Sequence, residues 1–132
     1  MKKYSFIAIL MVLVAFVVTS CGGGSVMTRA QTRAKQAIDW EKAGNMEMYV
    51  KDMKEAHEMD PDDVFIINDM AKVYWMENNI PEARAHYQEC VQKAGNLTIG
   101  QTDKPEFKGK TLKSLCEDNL KKLEEFAAKQ GK

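Results

Sequence analysis

The chain has 132 residues, with 19 basic and 19 acidic side chains, 45% hydrophobic residues and 29% charged ones. A balanced chain without a basic face excludes the electrostatic footprint of a nucleic-acid binder or a dedicated phosphate binder. Residues 30–96 are acidic in sum and residues 97–132 mildly basic, and the length suits one small domain that buries about 60 to 70% of its unfolded surface.

Lys2 and Lys3 begin a basic start, and an unbroken apolar run over residues 6–18 follows, leading into Val18-Thr19-Ser20-Cys21. A helix of that run reaches about 20 Å against a hydrocarbon core of about 30 Å, so cleavage is favoured over a permanent span. This pattern resembles a bacterial lipoprotein signal whose lipobox ends at Cys21. The resemblance implies that residues 1–20 are removed and that Cys21 becomes the first residue, carrying lipid on its sulfur and its amino group. Several acyl chains at about 0.8 kcal/mol per buried methylene would hold it stably. Residues 21–27 then form the lipidated cysteine and a Gly22-Gly23-Gly24-Ser25 tether, whose composition suits a flexible linker. No aspartate follows Cys21, so the family's rule for inner-membrane retention is not met. The implied address is the outer membrane, facing the periplasm.

Loss of Lys2 and Lys3 leaves the remainder two acidic charges in excess. Cys90 and Cys116 are then an even pair in an oxidising compartment, where either a disulfide or two buried thiols fits the pattern.

Residues 28–132 show helical periodicity almost throughout, which predicts an all-α domain. The first helix is expected over 28–43, stopping at Gly44-Asn45, and the second over 46–59, with Met46, Tyr49, Val50, Met53 and Ala56 on one side. Asp60-Pro61-Asp62-Asp63 breaks the chain and places carboxylates at the start of a third helix, which carries Phe65, Ile66, Ile67, Met70, Ala71, Val73, Tyr74 and Trp75. Pro81 fits the first turn of a fourth helix burying Ala83, Tyr87, Cys90 and Val91. Residues 98–109 read as a loop. A fifth helix over 110–129 collects Leu112, Leu115, Cys116, Leu120, Leu123, Phe126 and Ala127 on one face.

A shift of 34 residues superposes Ala37 on Ala71, Trp40 on Tyr74, Gly44 on Asn78, Asn45 on Asn79, Met53 on Tyr87 and Ala56 on Cys90. Small residues meet small ones and large meet large, as helix pairs require when a small residue permits close approach beside a bulky one. The period, with Trp40, Gly44, Ala56 and Pro61 in the first unit and Tyr74, Ala83, Tyr87 and Cys90 in the second, resembles the tetratricopeptide repeat. The resemblance spans units at 30–63 and 64–97. It departs from the family pattern at Tyr49, where a small residue is preferred, and at Gly95, where proline would close the unit. It implies antiparallel helix pairs of a short solenoid, with the fifth helix as a C-terminal cap.

Familiar catalytic patterns fail on residue type or spacing. Gly109-Lys110-Thr111 has Lys104 where a phosphate loop needs its first glycine, and His57 and His86 stand on different helices rather than one turn apart. No cysteines share a metal-ligand spacing, and no serine sits in a nucleophile elbow. The methionines of the repeat region fall at helical spacing, as core fillers do. These features predict neither an enzyme nor a resident metal or cofactor.

In the repeat family the first helix of each pair lines the concave side. That resemblance implies a groove in which Gln31, Ala34, Ile38 and Glu41 face the stripe Phe65, Asn68, Lys72 and Trp75, the stripe itself following from helical spacing. Two aromatics, an amide and an ammonium suit an extended peptide or a partner helix, unless the fifth helix or the preceding loop covers Phe65 and Trp75. The family's carboxylate-clamping pattern of lysines and asparagines is not matched. The expectation is a membrane-anchored adaptor or assembly factor binding an envelope protein or peptide segment. The alternative is a lipoprotein holding a small ligand or metal in a helical pocket.

Overall fold

The computed structural model describes residues 26–99 and 107–131. The signal expected over 1–20, Cys21, Gly22 to Ser25 and most of the loop expected over 98–109 lie outside the described residues. Within them the chain forms five α-helices: α1 (Arg29–Lys42), α2 (Met46–Met59), α3 (Val64–Met76), α4 (Ile80–Lys93) and α5 (Leu112–Gln130). The fold class is all-α. The extended backbone contributes one isolated bridge, Thr98 to Thr111, which brings the segment after α4 back to the start of α5. None of the described helices is long and apolar enough to cross a membrane.

One side chain starts each helix. Thr28, Asn45, Asp63, Asn79 and Thr111 each accept a hydrogen bond from the backbone N–H three residues on, satisfying a donor that the helix leaves unpaired. Thr28 and Gln31 do so reciprocally, and Pro81 occupies the first turn of α4. The first helix of each pair ends in the same way, 34 residues apart. Gly44 and Asn78 take left-handed φ values of 78° and 58°, while Asn45 N–H donates to Trp40 C=O and Asn79 N–H to Tyr74 C=O. That is the six-to-one bond of a Schellman stop, and it turns the chain at once into the next helix.

The helices pair antiparallel in sequence, α1 with α2, α3 with α4 and α4 with α5, while α2 also meets α3. Ala37, Ala56, Ala71 and Ala83 are fully buried, so the backbones approach closely, and Tyr49, Met53, Met70 and Tyr87 fill the space beside them. One cluster joins α1, α2 and α3 around Met53, Ile66 and Val73. A second joins Ile67, Cys90, Ala94, Leu112 and Cys116, and a third joins Ala71, Ala83, Tyr87 and Leu123. The apolar face of α5 is thus sealed mainly by α4. A disulfide between Cys90 and Cys116 joins these two helices, with their Cα atoms 6.0 Å apart.

One carboxylate is buried in the first cluster. Asp52 is 1% exposed, accepts from Trp40 Nε1 at 3.1 Å and faces Arg33 at 3.5 Å. Its two partners both come from α1, so the pairing of α1 with α2 is specified by direction as well as by burial.

Candidate functional site

Cross-links between alternate helices give their relative direction. Gln31 Nε2 donates to Asp63 Oδ2 at 3.0 Å near the start of α1 and α3, and Lys72 pairs with Glu41 toward their ends. Asn119 Nδ2 donates to Asn68 Oδ1 at 3.1 Å, and the rings of Trp75 and Phe126 meet at 5.6 Å. In both comparisons later residues of one helix meet later residues of the other, so α1, α3 and α5 run parallel. Helices α2 and α4 return on the opposite side.

The bridges from α3 to α5 occur at Asn68–Asn119 and Trp75–Phe126, each separated by seven residues on its own helix, or about 10 Å along the axis. Around them opens a cleft of about 580 Å³. Its α3 wall consists of Asn68, Asp69, Lys72, Trp75 and Met76, and its α5 wall of Leu115, Asn119 and Phe126, with Asn78, Tyr87 and Phe107 completing the lining. Aromatic and aliphatic surface makes most of the contact area available to a ligand, and the amides, the ammonium and the carboxylate supply direction.

The polar groups are already organised. Asn68 Nδ2 donates to Asp69 Oδ1 at 3.2 Å while its oxygen accepts from Asn119, which fixes the orientation of both amides. Lys72 Nζ is held by Glu41 and lies 5.2 Å from the centre of the Tyr49 ring, so its charge is shared with α1 and α2. Burial, and next the negative charge of Asp69, push the Tyr87 phenol well above the ordinary tyrosine range. Tyr49 is raised more strongly by the same two causes. Both hydroxyls therefore remain protonated donors throughout the physiological range.

This cleft differs from the groove expected between α1 and α3. Of the stripe on α3, Asn68, Lys72 and Trp75 line the cleft, whereas Phe65 is 43% exposed outside it. Ile38 does not line this cleft; it is partly buried and packs against the cluster of Ala30, Ala34, Met53 and Val73. Asn68 is only 9% exposed and is committed to α5, so it is not an open contact on a concave face. Lys72 likewise comes with a carboxylate partner. The fifth helix contributes a whole wall: Leu115 and Phe126 were legible as part of its apolar face, but nothing about Asn119 in isolation marks it as the residue opposite Asn68.

On the other side of the molecule, His57 of α2 and His86 of α4 meet edge to face at 5.5 Å, and Tyr74 lies 4.8 Å from His86. His57 Nδ1 is buried without a hydrogen-bond partner. Burial, then the proximity of His86, lowers the His57 pKa below the ordinary histidine value. Among the described residues, no three histidine, cysteine, aspartate or glutamate side chains come together in a way that could hold a metal ion. No protein-family model, curated protein or solved structure matches the chain.

Proposed function

We propose that this protein is a lipid-anchored, tetratricopeptide-like adaptor of the bacterial envelope, and that the cleft between α3 and α5 receives an extended segment of a partner protein. The observation that carries the reading is the cleft itself: aromatic walls from Trp75, Phe126 and Phe107 flank two amides already oriented by each other. Aromatic pockets anchor peptide side chains, and the partly exposed Asn119, oriented by its bond to the buried Asn68, offers its remaining amide groups to a peptide backbone. The 34-residue recurrence of the Gly44 and Asn78 stops supports the repeat reading, as does the parallel run of α1, α3 and α5. In that reading α5 stands where the first helix of a third unit would stand, and it closes the solenoid. Cys21 supplies the lipid attachment and the outer-membrane address.

Tethering to a membrane raises the effective concentration of neighbours, so a modest cleft suffices for an adaptor. The test is photocrosslinking in cells, with the reactive residue at Trp75, Phe126 or Phe65. Adducts to one envelope protein at Trp75 and Phe126, and weak ones at Phe65, are expected. Equal labelling at all three sites, or none at either cleft position, refutes the assignment. A second reading, a small apolar ligand, is favoured by the volume, which falls within the usual range for such sites. Native mass spectrometry of protein released gently from membranes distinguishes it, through retained non-protein mass.

A further inference from the structure

We propose that the end of the helical domain carrying the start of α1 and the finish of α2 rests on the phospholipid surface, with Val26, Met27 and Met59 seated among the headgroups. The proposal builds on the membrane-anchor reading and adds to it which surface of the domain meets the bilayer.

The helices alternate in direction, so the molecule has two ends. The starts of α1, α3 and α5 share one end with the finishes of α2 and α4, as the bridge between Thr98 and Thr111 and the Asp62–Lys93 pair require. The large apolar side chains exposed among the described residues are Val26, Met27, Met46, Met59, Phe65, Met76 and Leu97. Met46 and Met76 belong to the opposite end; the other five belong to the end where the chain enters α1. Val26 is 93% exposed, Met27 47% and Met59 43%. Met27 and Met59 are neighbours, sharing a depression with Arg29 and Arg33.

Chain length supplies the occupant. Four residues lie between Cys21 and Val26, a distance of five Cα steps, and a polypeptide spans at most about 3.5 Å per step, so a lipid on Cys21 keeps Val26 within about 18 Å of its attachment point. The opposite end stands about 20 Å farther off, by the rise of α1. An uncleaved apolar run over residues 6–18 would impose the same bias, because it too enters the domain through Val26. The apolar residues are therefore concentrated where the covalent connection delivers the membrane. Ionic attraction is not the main cause. Asp60, Asp62 and Asp63 share this end with Arg29 and Lys93, and Lys93 is paired with Asp62. Burial of thioether and aliphatic surface dominates, and it depends weakly on salt.

The experiment uses the full lipidated protein, purified and reconstituted into phosphatidylethanolamine and phosphatidylglycerol vesicles. Single cysteines for a bimane probe are introduced by Met59→Cys, Leu97→Cys, Met46→Cys and Met76→Cys, the native pair being buried and joined in its disulfide. Nitroxide-bearing lipids should quench probes at 59 and 97 at least twofold more than those at 46 and 76, with little change between low and high salt. Quenching equal at both ends, or stronger at 46 and 76, overturns the surface while leaving the anchor intact. Flotation of the unlabelled protein with the vesicles reads the anchor separately. Failure to float overturns both.

Discussion

Removing the disulfide tests whether α5 is held by the cross-link or by packing alone. Cys90 and Cys116 are separated by 26 positions, and both sulfurs sit in a buried apolar cluster with Ile67, Ala94 and Leu112. A cross-link of that span removes loop-closure entropy from the unfolded chain amounting to about 3.5 kcal/mol at 25 °C. An unfolding entropy near 0.2 kcal/mol/K for a domain of this size converts that to a fall in Tm of about 15 °C. The Cys90→Ala/Cys116→Ala protein should show this fall by circular dichroism and a larger urea m-value, because its unfolded chain is no longer cross-linked. Each single variant should lose nearly as much as the double, since either substitution breaks the same bond. A Tm within about 3 °C of the oxidised protein would refute the reasoning, and so would single effects that simply add.

Three further outcomes follow from individual side chains. Asp52→Ala leaves Trp40 Nε1 without its acceptor and should cost about 2 kcal/mol in urea unfolding, whereas Asp52→Asn, which keeps an acceptor, should cost less. Gly44→Ala should lose about 1–2 kcal/mol through backbone strain alone, because no atom lies within 4 Å of the added Cβ; Asn78→Gly at the equivalent stop should gain a smaller amount. His57 binds its proton less readily in the folded chain than in the unfolded one, whose histidine pKa is about 6.5. Stability should therefore fall as pH drops below that value and level off once the folded pKa is passed. His86, Glu89 and Lys93 from α4 and Glu58 beside it set the local charge, and His57→Gln should flatten the decline in Tm between pH 7.5 and 5.

The helix limits are legible because they are local. A capping side chain marks each start, and a left-handed residue follows the ends of α1, α3 and α4, each acting within four residues of itself. The core is legible for the same reason: Ala37, Tyr49, Met53, Met70, Ala71 and Cys90 recur at the period that puts them on one face. The cleft is different. Helical spacing brings Asn68, Lys72 and Trp75 onto one stripe, but which helix stands opposite that stripe is decided across a long loop. Ile38 lies on the corresponding stripe of α1, yet it is partly buried against the cluster that joins α1, α2 and α3 and does not line the cleft. Phe65 occupies the same stripe as Trp75 but does not line the cleft and stays 43% exposed. Lys72 and Glu41 are fixed by a contact over 31 positions, which no local pattern encodes.

The cleft arises from how the apolar surface of α5 is divided. Leu112, Cys116 and Leu123 form one stripe, spaced by four and seven residues, and they are fully buried against α4 and α3. Leu115, Asn119 and Phe126 form a second stripe with identical spacing, displaced by three residues and so rotated by about 60° around the axis. The first stripe meets Ile67, Ala71, Ala83 and Cys90, which leave no gap. The second meets α3 at Asn68 and Trp75, and between those contacts the helices stand apart. An asparagine at the seam where leucine would continue the pattern exchanges dry packing for a directional bond, much as a buried asparagine specifies register between parallel helices in a coiled coil. The disulfide sets the distance from α4 to α5, and the asparagine pair sets how far α5 may turn toward α3. Together they fix the helix that forms one wall of the cleft.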